Sequence, residues 1–157
     1  MVFFQGCPHG CPKCHNPETH DENGGTESDT QAIIDEIRSD KYIDGITLSG
    51  GDPFLQPGAA LSIAEAAKEA GLDVWAYSGW TYEELISEGS SKAAIKPPEG
   101  AAELLKAVDV LVDGRYVDSL HVGDDEAADY LYRGSKNQRL IDVAKSIEAG
   151  KAVDFNG

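Results

Sequence analysis

Cysteine and basic residues are scarce in this 157-residue chain. The three cysteines, Cys7, Cys11 and Cys14, all lie near the start of the sequence, so none remains elsewhere to build a disulfide framework. Lysine and arginine number 13 against 28 aspartate and glutamate, which gives a formal net charge of −15. A field of that sign repels a phosphate backbone, so we expect no nucleic-acid partner.

Long apolar runs and a basic leader are lacking as well. No stretch approaches the roughly 20 apolar residues that a membrane-spanning helix needs, and residues 1–5 do not read as a signal peptide. We therefore expect a cytoplasmic protein without a membrane partner, folded as a single domain over residues 1–157. Because strand-like residues begin at Val2, we also expect that an N-terminal segment is missing.

Hydrophobic periodicity predicts strands that alternate with helices. The predicted strands are residues 2–5, 45–49, 74–77, 108–112 and a last one at Leu140, Ile141 and Val143. Helices are predicted after a capping box of Ser28 and Gln31, from Pro57 to Gly71, after a second capping box of Thr81 and Glu84 as far as Gly89, and over residues 101–108. This alternation is typical of an α/β fold with a parallel sheet.

Each of the first four predicted strands runs into a polar or glycine-bearing loop. These loops are the cysteine loop, Gly50-Gly51-Asp52, Tyr77-Ser78-Gly79 and Asp113-Gly114. In parallel α/β folds, ligands bind at the carboxyl ends of the strands. We therefore expect the four segments to meet at one edge of the sheet.

The cysteines are spaced C-x3-C-x2-C within a loop, residues 6–20, that is rich in glycine and proline. Three thiolates at this spacing can bind three irons of a cubane cluster and leave the fourth iron open for a ligand. The alternative is a structural Cys3His zinc site with His9, His15 or His20 as fourth ligand. Structural zinc sites usually pair two short knuckles, whereas all ligands here come from one loop, so the cluster is favoured.

Further segments of the chain carry a more specific pattern. They are Phe4–Cys11, Asn16–Thr19, Leu48–Pro53, Tyr77–Trp80, Val110–Gly114 and Arg133–Gln138. With the C-x3-C-x2-C loop they resemble the radical-SAM superfamily, and within it the activating enzymes of anaerobic (class III) ribonucleoside-triphosphate reductase. The resemblance covers nearly the whole chain.

The resemblance implies an α/β fold in the form of an incomplete βα barrel, open on one side. It implies a [4Fe-4S] cluster that reductively cleaves S-adenosylmethionine and generates a glycyl radical on the large subunit of the reductase, with an electron donor such as flavodoxin. Activation of another glycyl-radical enzyme of the pyruvate formate-lyase type and a non-enzymatic zinc-binding module remain as alternatives.

The resemblance also implies the residues of the site. Cys7, Cys11 and Cys14 would ligate the iron, and the cofactor would be bound by Lys13, Cys14, His15, Gly50, Gly51 and Asp52. Arg115, Arg133 and Arg139 are left open between surface solubility and contact with the cofactor carboxylate or a partner protein.

Overall fold

The computed structural model describes residues 1–88 and 92–156, and its centre is one five-stranded sheet. The strands are β1 (Val2–Phe4), β2 (Gly45–Gly50), β3 (Asp73–Ser78), β4 (Val110–Asp113) and β5 (Arg139–Asp142). The helices are α1 (Thr30–Ser39), α2 (Pro57–Glu69), α3 (Tyr82–Ser87), α4 (Ala101–Lys106) and α5 (Val143–Ala149). Within the described ranges, no helix has both the length and the apolar content to cross a membrane.

The strands lie in chain order, and β1 to β4 pair in parallel, as the alternation of strands and helices predicts. The last pair is different, because β5 runs antiparallel to β4. Between these two strands the chain forms no crossover helix but a loop closed by a bridge between His121 and Ser135. Without a crossover, the chain re-enters the sheet at the carboxyl end of β4, so β5 must run in the opposite direction to β4.

Val143 was expected in the last strand, and this expectation is wrong. It is the first residue of α5, and the strand ends at Asp142. The Asp142 side chain accepts a hydrogen bond from the Lys145 N–H at 3.0 Å and so caps the helix. A short apolar run does not distinguish a strand from a strand that passes directly into a helix.

Of the two predicted capping boxes, the one at Thr81 and Glu84 is confirmed, with both reciprocal hydrogen bonds present. The other, at Ser28 and Gln31, is wrong. The N-cap of α1 is Asp29, whose carboxylate accepts from the Gln31 N–H at 3.0 Å. The predicted helix end at Gly89 lies outside the described residues.

The hydrophobic core lies between the sheet and the helices that cover it. On α2, the predicted apolar face is buried, with Ala60, Ile63, Ala64 and Ala67 at most 1% exposed. Pro57 occupies the first turn of this helix, where its missing N–H costs no hydrogen bond. The α/β class and the mostly parallel sheet are confirmed, and the form of an incomplete barrel stays a prediction.

Candidate active site

A cavity of about 650 Å³ opens at the carboxyl edge of the sheet. Its walls include residues from all four of the predicted loops, namely Cys7, Cys11, Cys14, Gly50, Gly51, Tyr77, Ser78, Gly79 and Gly114. The expected convergence of these segments is therefore confirmed. The loop between β4 and β5 adds a further wall, with Tyr116 and residues 121–124 and 130–134. The volume suits a small-molecule ligand.

The cysteine loop is held in place mainly by its own backbone. The Gly6 N–H donates to the Thr19 carbonyl at 2.8 Å, and the Cys7 N–H donates to the His20 carbonyl at 3.2 Å. These bonds close the loop over residues 6–20 without using a thiol. All three cysteines are free and partly buried, and all three line the cavity, as ligands of one group must.

Burial and the neighbouring thiols disfavour the ionised form of Cys7 and of Cys11. Burial raises the pKa of Cys7 to about 11, and the nearby Asp52, Cys11 and Cys14 add to the increase. Burial also raises the pKa of Cys11, with Cys14 contributing. Gathering thiolates here is therefore unfavourable without a compensating positive charge. Bound iron supplies that charge, because a coordinating thiol is deprotonated outright.

Gly50, the last residue of β2, and Gly51, which follows it, allow the backbone to approach closely. A Cβ on Gly51 would overlap the Gly6 carbonyl oxygen, and Gly50 adopts a φ of +96°. In this position the Gly51 N–H donates to the Phe4 carbonyl at 2.7 Å, while the residue still lines the cavity. The glycine pair thus serves the packing of the cysteine loop against β2 and leaves bare backbone at the cavity wall.

Asp52 lies at the centre of a buried hydrogen-bond network. Its carboxylate is 1% exposed and accepts from the Ser78 hydroxyl, the Gly79 N–H at 2.9 Å and the Phe54 N–H at 3.0 Å. His9 Nε2 is a fourth partner, at 3.0 Å. The carboxylate is thus occupied by the protein, and the predicted contact between Asp52 and the cofactor stays a prediction.

His9 packs beneath the loop rather than projecting from it. Its ring meets the Trp80 ring edge to face at 4.5 Å, and a Cβ on Gly79 would overlap it. Since Nε2 contacts Asp52, that nitrogen is not free to bind a metal. Within residues 1–88 and 92–156, no three or more His, Cys, Asp or Glu side chains converge as ligands of a single metal ion.

Lys13 and His15, the other predicted cofactor contacts, occupy different surroundings. Lys13 adopts a φ of +57° and its ammonium lies 2.8 Å from the Asp118 carboxylate, with the lysine side chain 75% exposed. This ion pair joins the cysteine loop to the loop after β4. His15 lines the cavity and lies 5.2 Å from the Tyr116 ring, so of the two it is the one placed for contact with a ligand.

The buried polar atoms that lack a partner are concentrated at this cavity. In the part of the chain that the structure describes, the buried side-chain nitrogens without a hydrogen-bond partner are His9 Nδ1, His20 Nε2 and Arg133 Nε. All three residues line the cavity. Buried polar groups are normally satisfied, so three unpaired nitrogens at one site indicate a polar ligand. Three thiols, three unpaired nitrogens and a cavity of small-molecule size fit an iron–sulfur cluster with S-adenosylmethionine.

The three arginines whose roles the sequence left open, Arg115, Arg133 and Arg139, make different contacts. Arg139 donates from Nε to the buried carboxylate of Asp113 at 3.0 Å and also pairs with Glu83, so it holds β5 to β4 and α3. Arg115 contributes its carbonyl to the Asn137 side chain at 2.8 Å. Arg133 alone of the three lines the cavity. In the sequence, Arg133 begins one of the segments that carry the family pattern, Arg133–Gln138, but nothing there assigned it to the cavity.

Comparison with known proteins agrees with this geometry. The family described as "4Fe-4S single cluster domain" matches residues 1–141. The chain is also 32% identical, over 148 residues, to the anaerobic ribonucleoside-triphosphate reductase-activating protein of Enterobacteria phage T4, an alignment covering 89% of this chain and 81% of the relative. The chain belongs to this family of 4Fe-4S activating proteins.

Other relatives belong to neighbouring activating enzymes. The pyruvate formate-lyase-activating enzyme of Clostridium pasteurianum is 37% identical over 95 residues, which is 55% of this chain and 40% of that protein. A putative glycyl-radical enzyme activating enzyme of Methanocaldococcus jannaschii is 36% identical over 90 residues, which is 56% of this chain and 36% of that protein. Membership of the family confirms the radical-SAM resemblance and, with it, an iron–sulfur cluster and S-adenosylmethionine as cofactors.

Proposed function

We propose that this chain activates an anaerobic ribonucleoside-triphosphate reductase by generating a glycyl radical on its large subunit. The observation that carries the proposal is the alignment with the phage T4 activating protein, which extends over 81% of that protein. We further propose that it does so in the cytoplasm, with a small redox protein such as flavodoxin as electron donor, and that its sheet forms an incomplete barrel open to the partner.

The residues of this chain have distinct tasks in that reaction. Cys7, Cys11 and Cys14 would hold three irons of the cluster, each thiol giving up its proton on binding. The chemistry that the cluster and S-adenosylmethionine supply when bound is one-electron cleavage of a carbon–sulfur bond, followed by abstraction of a hydrogen atom from a glycine. Gly51 would present bare backbone to the cofactor, and His15 would present a ring at the same cavity wall.

The second candidate is activation of a pyruvate formate-lyase. Its support is the 37% identity to the Clostridium pasteurianum enzyme. That alignment, however, covers only 40% of the relative, whereas the phage alignment covers twice that share of its protein. The reductase is therefore the better-supported partner.

The two candidates are separated by electron paramagnetic resonance. The reconstituted, reduced protein is incubated anaerobically with S-adenosylmethionine and either reductase large subunit or pyruvate formate-lyase. We expect a glycyl-radical signal with the reductase. Substituting Cys11→Ser should abolish the signal, whereas Arg38→Gln, a change in an exposed ion pair on α1, should leave it intact. A signal with pyruvate formate-lyase only would replace the proposal by its alternative.

A further inference from the structure

Arg133 is the one lysine or arginine side chain among the described residues that line the cavity. Its Nε is buried and has no hydrogen-bond partner. The chain carries 28 acidic residues, yet in the ranges 1–88 and 92–156 no carboxylate lies within ion-pair distance of Arg133. An arginine that lines a ligand cavity and keeps a donor unpaired, in a chain with surplus acid, indicates a ligand that carries an anionic group.

The guanidinium is fixed in position before any ligand arrives. One Nη2 hydrogen is donated to the Asp129 carbonyl at 2.7 Å, and the guanidinium carbon lies 4.9 Å above the Tyr130 ring. The backbone on either side is also anchored. The Arg133 N–H donates to the Tyr130 carbonyl at 3.1 Å, and the Tyr132 carbonyl accepts from the Tyr77 hydroxyl at 2.8 Å. An arginine held in this way loses little side-chain entropy on binding.

We propose that Arg133 binds the carboxylate of the methionine part of S-adenosylmethionine. The assignment rests on the proposed function, since it needs that cofactor in this cavity. S-adenosylmethionine carries one carboxylate beside its ammonium and sulfonium groups, and this carboxylate matches the planar fork of a guanidinium. A negatively charged segment of a partner protein fits less well, because it would have to reach an unpaired donor, Nε, that is buried.

The test compares two ligands that differ only in the carboxylate. Binding of S-adenosylmethionine and of decarboxylated S-adenosylmethionine to the reconstituted protein is measured by anaerobic calorimetry. We expect Arg133→Gln to weaken S-adenosylmethionine binding about 10- to 100-fold and to change binding of the decarboxylated analogue less than about 2-fold. Arg133→Lys should restore part of the affinity, and the exposed Arg38→Gln should change neither ligand.

Iron content and the circular dichroism spectrum are recorded for each variant, so that loss of the cluster or of the fold is recognised. Equal weakening of both ligands would overturn the assignment, because Arg133 would then shape the cavity and not bind the carboxylate. Unchanged binding of both ligands would overturn it too. If the wild-type protein binds neither ligand, the proposed function fails and the assignment fails with it, which sets that outcome apart from failure of the assignment alone.

Discussion

His9 Nε2 lies 3.0 Å from Asp52 Oδ2, and both side chains are 1% exposed. His9 stands between the first two cysteines in sequence, and Asp52 follows Gly50 and Gly51 at the end of β2. This buried bond therefore fixes the cysteine loop to the sheet edge independently of any bound group.

Substituting Asp52→Asn should destabilise the protein by about 2–4 kcal/mol. The asparagine amide would direct N–H groups toward partners that themselves donate, including the Gly79 N–H, and a broken buried network of a charged group has a cost of this order. Urea denaturation of the metal-free protein measures the change. Asp44→Asn, at an exposed position before β2, is the matched control and should be nearly neutral. Equal stability of the two variants would contradict the role given to Asp52.

Substituting Gly51→Ala should disrupt the contact between the cysteine loop and β2, because the added Cβ would overlap the Gly6 carbonyl oxygen. We expect a loss of about 2 kcal/mol or more in unfolding free energy, together with lower iron uptake on reconstitution. Gly58→Ala is the control within α2, where a Cβ meets nothing within 4 Å. That change should be neutral or stabilising by up to about 1 kcal/mol. A Gly51→Ala protein that retains full stability and iron would contradict the close packing described.

Removing the Arg139 guanidinium should leave the Asp113 carboxylate, 1% exposed, without its cationic partner. We expect Arg139→Gln to reduce the unfolding free energy by about 2 kcal/mol, which is below the range for fully buried pairs because the arginine side chain is 37% exposed. Glu83→Gln removes only the more exposed ion pair, between Glu83 and Arg139, and should cost less than about 1 kcal/mol. An equal loss of stability in the two variants would contradict the structural role of the Arg139–Asp113 pair.

The pH dependence of the ion pair between Glu83 and Arg139 follows from the direction in which the pKa of Glu83 is shifted. Hydrogen bonding to Arg139 lowers the pKa of Glu83 in the folded protein. An acid with a lowered pKa stabilises the fold at neutral pH, and its contribution is lost as the pH falls through the lowered value. The stability difference between wild type and Glu83→Gln should therefore be constant near neutral pH and shrink below about pH 4. A stability difference that grows as the pH falls would contradict the lowered pKa of Glu83 in the folded protein.

Alkylation of the metal-free, reduced protein should be slow at Cys7. Because burial raises the pKa of this thiol to about 11, the reactive thiolate is a small fraction at pH 8, and the rate should keep rising with pH up to that value. Mass spectrometry of iodoacetamide adducts over pH 7 to 11 follows the reaction, with N-acetylcysteine as the free-thiol reference. A Cys7 rate at pH 8 equal to that of the reference would contradict the raised pKa.

Local patterns in the sequence were sufficient to predict that four loops, among them the cysteine loop and the loop with Gly50 and Gly51, meet at one sheet edge. The cysteine spacing and the strand-to-glycine transitions each lie within a few residues, where covalent geometry limits the alternatives. The direction of β5 was not predictable in this way. It depends on whether the long loop after β4 crosses the sheet or stays at its edge, and no short pattern encodes that choice.

The sequence also did not predict the side-chain contacts that complete the site. His9 and Asp52 are 43 residues apart, so their bond exists only once β1 and β2 have paired. In the sequence His9 was a possible zinc ligand and Asp52 a possible cofactor contact. Arg133 belonged to a segment of the family pattern, but the sequence did not assign it a contact. Its place at the cavity and its buried, unpaired Nε distinguish it from Arg139, which pairs with Asp113 and Glu83.

The most direct test of the account is anaerobic reconstitution with iron and sulfide, followed by assay of 5′-deoxyadenosine released from S-adenosylmethionine under dithionite. We predict about four irons and four sulfides per chain, release of 5′-deoxyadenosine, and loss of both in Cys11→Ser. A chain that takes up zinc but no iron or sulfide, or one that is fully loaded with iron and sulfide yet releases no 5′-deoxyadenosine, would contradict it.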